Sequence, residues 1–280
     1  MSKDINYHIP VMVQEVIEGL QINPGKRYID ATIGGGGHGV EIVRRGGLLL
    51  GIDQDTEAIE EVKRIFKDWK IVQGNFRDIG KLAREHGFSE VDGVLFDLGV
   101  SGHQFDSASR GFSYRFGDAP LDLRLDQKKG RTAADIIARA SEEELYEIFA
   151  KYGEEERAGA IAHAVVLARR VKPIATTGQL AAIVSESQPT LSRVFQALRI
   201  AVNDELEALR EGLLGSESLL VSGGRLAVIS FHSLEDRIVK EFFKRAIWKM
   251  ITKRPQRASF HEVEENIRSR SAKLRVAEKL

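Results

Sequence analysis

The stretch Tyr28-Ile-Asp-Ala-Thr-Ile-Gly-Gly-Gly-Gly-His-Gly39 decides the fold. A short β-branched run ends in the carboxylate of Asp30 and opens into a turn with glycine at 34, 35, 36, 37 and 39. Glycine has no Cβ, so this backbone can turn tightly and admit a ligand to main-chain atoms, at an entropic cost that needs a reason. A second apolar run, Leu48-Leu-Leu-Gly-Ile-Asp53, ends in another carboxylate 19 residues after Gly34. An acidic residue about 20 positions on is where a strand–helix–strand unit meets the ribose of an adenosine cofactor. Together the two runs predict a site for an adenine nucleoside derivative.

Gly34-x-Gly36-x-x-Gly39 satisfies the dinucleotide fingerprint, in which a helix N-terminus faces a pyrophosphate. Asp30 favours another ligand. A carboxylate before the loop repels phosphate but attracts a cation, such as the amino group and sulfonium of S-adenosylmethionine.

Working outward, Tyr28–Asp30, Leu48–Asp53, Lys70–Gln73 and Val91–Asp97 read as strands, separated by helical patterns. One of these runs over Thr56–Trp69, with Ile59, Val62, Ile65 and Phe66 on one face. Such alternation predicts a parallel sheet with crossover helices, whose ligands bind beyond the carboxyl ends of the strands. Asp30, Asp53 and Asp97 all fall at those ends. From about Ser107 strand signals vanish for roughly a hundred residues. Thr132-Ala-Ala-Asp135 and Ser141-Glu-Glu-Glu144 are capping boxes that start helices. Pro189 precedes what reads as one long helix, with Val194, Leu198, Val202, Leu206, Leu209 and Leu213 along a face. Strand texture returns at Arg225–Ser230. The expectation is an α/β, Rossmann-like domain of residues 1–107 and 209–280, interrupted by an all-helical domain, 108–208.

The 280 residues are 42% hydrophobic and 29% charged, an ordinary balance for a globular chain. No run of about 18 apolar residues occurs, and the start lacks an apolar signal region, so a cytoplasmic location is expected. With no cysteine, disulfides, thiolate metal sites and a cysteine nucleophile are excluded. No histidine–carboxylate set has ligand spacing, so no metal is expected. Net charge is zero, but Lys244–Leu280 carries 11 Lys and Arg against 4 acidic residues. That basic end suits either a polyanionic partner or a solvated helical tail.

Several stretches together resemble one family, the bacterial 16S ribosomal RNA cytosine-N4 methyltransferases, or small-subunit methyltransferase H. They are His8-Ile-Pro-Val-Met12, Asp30-x-Thr-x-Gly-x-Gly-Gly-His38, Asp97-Leu-Gly-Val-Ser101, Arg110-Gly-Phe-Ser113 and Pro120-Leu-Asp-Leu-Arg124, followed by Phe195–Leu206, Ile229–Arg237 and Arg268–Arg275. The pattern departs at Gly102-His103, where Ser-Pro is usual, and at Ile267, where proline is usual. The resemblance implies S-adenosylmethionine as cofactor and methyl transfer to the exocyclic N4 of a cytidine in the decoding region of small-subunit RNA. It also implies a helical domain inserted in the methyltransferase fold. Carried over by position, the cofactor contacts are Gly36, Gly37, His38, Asp53, Phe76, Asp97 and Gln104. Asp53 suits ribose hydroxyls, and Phe76, after the third strand, suits the adenine face.

The N4 amine of cytosine is a poor nucleophile and must be held in line with the methyl group. Asp97 is the first candidate for that task and His232, after the last strand, the second. Arg268, Arg270, Lys273 and Arg275 are the expected phosphate contacts of the basic end. Two other readings stay open: a methyltransferase acting on a protein or small molecule, and a nucleotide-binding module or dinucleotide oxidoreductase.

Overall fold

The computed structural model describes residues 10–184 and 187–280. His8 and Ile9 of the first motif lie outside the described residues. The chain divides into two units, Met1–Ser101 with Leu206–Leu280, and Gly102–Glu205. The expected helical interruption was 108–208.

The first unit is built on seven strands: β1 (Arg27–Asp30), β2 (Leu48–Asp53), β3 (Lys70–Gln73), β4 (Val91–Asp97), β5 (Leu220–Ser230), β6 (Trp248–Met250) and β7 (Lys273–Lys279). Their order is β3-β2-β1-β4-β5-β7-β6. β1 to β5 pair in parallel, whereas β7 lies antiparallel between β5 and β6. The sheet is therefore mixed, and β6 and β7 are strands that the sequence reading did not find.

Side chains of successive strand residues face opposite sides. Ile29, Leu50, Val94, Phe96 and Val228 enter one apolar cluster, with Ile79, Leu209, Leu213 and Val239. Their neighbours turn the other way. Tyr28 and Leu49 pack with Ile17, Ile42 and Val62, and Leu95, Ala227 and Ile229 with Val16, Leu20 and Val276. Burial on both faces explains why these strands are continuous apolar runs rather than alternating ones. Strand order reverses direction at β1, between β2 and β4, which is where ligands of such sheets bind.

Helices α1 (Val13–Leu20), α2 (Gly37–Arg44), α3 (Thr56–Ile65) and α4 (Ile79–Glu85) alternate with the first strands. The α3 helix stops short of the expected Trp69. Its apolar face continues instead as a stacked pair, Phe66 and Trp69, with ring centroids 3.9 Å apart.

The second unit holds α5 (Gly102–Asp106), α6 (Ala133–Arg139), α7 (Glu142–Gly153), α8 (Ala158–Val171), α9 (Thr177–Val184) and α10 (Gln188–Asn203). Both expected capping boxes form, at Thr132 with Asp135 and at Ser141 with Glu144. The family-like stretches of this unit interlock. The buried Arg110 guanidinium donates to the carbonyls of Arg124 (3.2 Å) and Leu125 (3.0 Å). Asn203 donates to the Leu123 carbonyl and accepts from the Leu125 amide, each at 2.8 Å. A Cβ on Gly111 would lie 2.1 Å from the Pro120 carbonyl oxygen. These contacts hold one irregular loop together.

The expected long helix is two. Asp204 takes a left-handed conformation, φ 51°, that ends α10, and α11 (Glu205–Leu219) begins at the next residue. The apolar period runs on through the break, which is why periodicity alone joined the two. In the first unit α12 (Ser233–Phe242) follows β5, and α13 (Phe260–Glu265) with a 3-10 turn over Ile267–Ser271 precedes β7. No helix among the described residues is long and apolar enough to cross a membrane.

Candidate functional site

Three carboxylates end three adjacent strands. Asp30 ends β1, Asp53 ends β2 and Asp97 ends β4. In register, Asp30 pairs with Gly51 on one side and Leu95 on the other, so Asp53 and Asp97 each reach two residues further along the flanking strands.

Their surroundings differ. Asp53 is tied into the loop: its Oδ2 accepts from the Gly34 amide and its Oδ1 from the Asp55 amide, both at 2.9 Å. Asp30 is buried and accepts from the Thr32 amide at 3.2 Å. Asp97 is held by its backbone, whose amide donates to Thr32 Oγ1 at 2.7 Å. Its Oδ1 is buried with no hydrogen-bond partner among the described residues.

Crowding three acids out of water raises their pKa values, because burial penalises the charged form and like charges add to the penalty. Burial, with the charge of Asp53, pushes Asp30 up to about 7. Burial pushes Asp53 to about 6 although two backbone amides stabilise its anion. Asp97 stands well above the usual carboxylate range, through burial and then the charges of Asp30 and Glu235. Among the described residues, no Lys or Arg shifts these three acids. Such a site repels an anion and would gain by accepting a cation.

The glycines divide by task. Gly34 (φ 47°) and Gly36 (φ 82°) adopt left-handed conformations that shape the turn, and Gly36 caps α2. A Cβ at Gly34 would meet nothing closer than 3.8 Å, so its surface is open. Gly37 and Gly39 answer to packing instead: a Cβ at Gly37 would strike Pro10 at 2.7 Å, and one at Gly39 would strike Trp69 at 2.8 Å. The glycine run is thus only partly explained by ligand access.

His38, in the first turn of α2, is buried. Its Nε2 donates to the Val11 carbonyl at 2.9 Å, which leaves Nδ1 facing Asp97 Oδ2 at 3.8 Å. Phe76 follows β3 in a short turn and meets Phe96 edge-on, with centroids 5.4 Å apart. Gln104 is buried on α5, in the second unit.

His232 caps α12. Its Nδ1 accepts from the Glu235 amide at 3.4 Å, its Nε2 lies 3.1 Å from Glu235 Oε1, and Glu235 Oε2 accepts from the Phe231 amide at 2.8 Å. Nδ1 closes a capping box, whereas Nε2 is buried, faces Glu235 Oε1 and makes no hydrogen bond among the described residues, so His232 stays the second candidate. The residue that reading missed is Glu235, buried and felt electrostatically by Asp97. The spacing His232-Ser-Leu-Glu235 carried the signal, since glutamate three residues after a cap closes such a box.

The expected phosphate contacts also separate. Arg275 sits inside β7, buried, with Nε 2.7 Å from Asp236 Oδ1, and Lys273 Nζ lies 3.7 Å from Asp236 Oδ2. These two cations are committed to a structural ion pair rather than presented to a polyanion. Arg268 and Arg270 lie on the turn before β7, with Arg270 exposed.

The family model of the MraW methylases matches residues 6–280. The chain is 48% identical to a Ribosomal RNA small subunit methyltransferase H of Deinococcus deserti, over 98% of this chain and 93% of that protein. It is 47% identical to the protein of that name in Deinococcus radiodurans, over 97% and 89%, and 45% identical to that of Symbiobacterium thermophilum, over 98% and 97%. A carboxylate-lined, glycine-turned site at the switch of the sheet fits a cationic methyl donor, and with these matches the chain belongs to the MraW methylase family of S-adenosylmethionine-dependent methyltransferases.

Proposed function

We propose that this enzyme methylates the exocyclic N4 of a cytidine in the decoding region of small-subunit 16S ribosomal RNA. The names borne by its relatives support the RNA substrate. The observation that carries the amine is Asp97 Oδ1, a buried carboxylate oxygen with no partner among the described residues. An oxygen so placed is costly unless something donates to it, and an exocyclic amine donates.

In this reading Gly36, Gly37, His38, Asp53, Phe76, Asp97 and Gln104 hold the methyl donor. Asp53 accepts from ribose hydroxyls while its backbone partners keep the turn in shape, and Phe76 lies against the adenine. The donor supplies an electrophilic methyl group. Asp97 orients the N4 amine by accepting one N–H, and as the new N–C bond forms it takes the proton that nitrogen sheds. Its raised pKa suits a carboxyl that must hold a proton for part of the cycle. His38 Nδ1 lies 3.8 Å from Asp97 Oδ2, beside the carboxyl that takes the proton. The target base must be unstacked or already single-stranded to reach such a pocket. The helical unit, Gly102–Glu205, would supply RNA recognition.

Mass mapping of methylated nucleosides in small-subunit RNA, with and without the enzyme, tests the proposal. A new N4-methylcytidine in the decoding region is the expected result. Methyl incorporation into bulk protein with none in RNA would overturn it.

A further inference from the structure

One basic segment is not absorbed by the site above. Between β6 and β7 the chain makes a long excursion. Ile251 and Thr252 both bond the Val276 carbonyl, and Gln256 exchanges two 2.9 Å hydrogen bonds with Leu274. The segment thus runs antiparallel to β7 toward its start. It returns at Lys273, which pairs with Ser230, the last residue of β5. β5 is parallel to β4, so residues 257–272 stand at the carboxyl edge of the sheet, the edge that carries Asp30, Asp53 and Asp97.

Two further contacts tie the excursion to the cofactor turn. Glu262 accepts from the Met12 amide at 2.6 Å, and the neighbouring Val11 carbonyl accepts from His38. Pro10, of the same segment, packs against Gly37. The excursion is anchored from inside by Asn266, Ser269 and Ala272, all buried. Its outer side is cationic: Lys249–Arg270 holds six Lys and Arg against three Glu, and Lys253, Arg254, Arg257 and Arg270 are exposed. Phe260, at the start of α13, is 93% exposed.

An exposed aromatic ring on an anchored excursion that also carries the exposed Arg257 and Arg270 matches how single-stranded nucleic acid is bound: bases stack on the ring and phosphates meet the cations. We propose that Phe260, with Arg257 and Arg270, is a docking surface for single-stranded RNA beside the target nucleotide, with Phe260 stacking on a base. This rests on the RNA reading above and names where that RNA is gripped. It replaces Lys273 and Arg275, whose charges are spent on Asp236.

The test is steady-state methylation of small ribosomal subunits by the full-length enzyme. Phe260→Ala should raise KM for subunits about tenfold, with kcat, the Kd for S-adenosylmethionine and the melting temperature unchanged. Phe260→Trp should restore KM. In Arg257→Gln with Arg270→Gln, the log–log salt dependence of KM should flatten by about 0.7 per lost phosphate contact. An unchanged KM in Phe260→Ala, while the parent enzyme methylates subunits, overturns this surface and leaves the proposed function standing. Equal rescue by Phe260→Leu and Phe260→Trp overturns base stacking in favour of an apolar protein contact. A parent enzyme that leaves subunit RNA unmethylated overturns the RNA reading, and this inference with it.

Discussion

Asp97 and Asp236 belong to the same unit and are similarly enclosed, with side chains 11% and 16% exposed, yet their environments are opposite. Asp236 has the Arg275 guanidinium at 2.7 Å and the Lys273 ammonium at 3.7 Å. Burial alone would push its carboxyl up, but these partners outweigh burial and hold it below the usual range. Asp97 has other carboxylates for neighbours and is driven the other way. An acid placed for stability is given a cation by the fold, whereas one placed for a ligand is left to find its counter-charge in the ligand. Asp236 therefore ties α12 to β7. Asp97, Asp30 and Asp53 cost stability and point to a positively charged ligand.

The sharpest break in that comparison is Asp97→Asn. It keeps shape and removes the charge. Turnover should fall by about 10²–10⁴-fold, the range of a lost acid–base group. Stability by denaturant titration should hold or rise, because a group whose charge this buried site penalises has gone. A stability loss with activity retained would make Asp97 a structural residue like Asp236.

The reverse substitution in the other region is Arg275→Ala. It leaves a mostly buried carboxylate with only the Lys273 ammonium beside it and should cost up to about 3 kcal/mol of unfolding free energy. The cost should fade on acidification, since a lowered carboxyl pKa stabilises the fold above its unfolded value and that stability is lost as pH falls through the folded one. The RNA-dependent salt slope should be unchanged. A flatter slope would return Arg275 to the phosphate contacts.

Asp53→Ala is smaller in effect and lies between the two cases, since Asp53 shapes the turn and, in the proposed function, accepts from the ligand. It should weaken S-adenosylmethionine binding by more than about 1 kcal/mol, read by calorimetry. Unchanged affinity would leave Asp53 with only its bonds to Gly34 and Asp55.

The same contrast explains what the sequence disclosed. β2 and β4 have the bounds expected from their apolar runs, because they are buried on both faces and hydrophobicity alone marks them. The acids at their ends were visible because each interrupts such a run. β7 was not visible: Lys273-Leu-Arg-Val-Ala-Glu-Lys279 reads as charged, and Arg275 is buried only because Asp236, 39 residues earlier, neutralises it. A non-local ion pair leaves no local pattern. The break between α10 and α11 was hidden for the opposite reason, since the apolar stripe passes unbroken through a single left-handed Asp204. Aspartate tolerates that conformation without needing it, so its presence was no signal. In the loop of the second unit, Arg110 stood in a family-like motif, but its burial against the carbonyls of Arg124 and Leu125 depends on a fold that no short window contains.

The central claim is that ionised strand-end acids select a positively charged donor, and it is tested most directly by one ratio. Kd should be measured by calorimetry for S-adenosylmethionine and for S-adenosylhomocysteine, which lacks the sulfonium charge, from about pH 5 to about pH 8. Below pH 6 Asp30 and Asp53, with pKa values of about 7 and about 6, are mostly protonated and the extra charge has little to meet. As pH rises through those values the carboxylates ionise, so the affinity of the sulfonium compound should increase relative to its neutral analogue. A ratio that stays constant across that window would contradict the account.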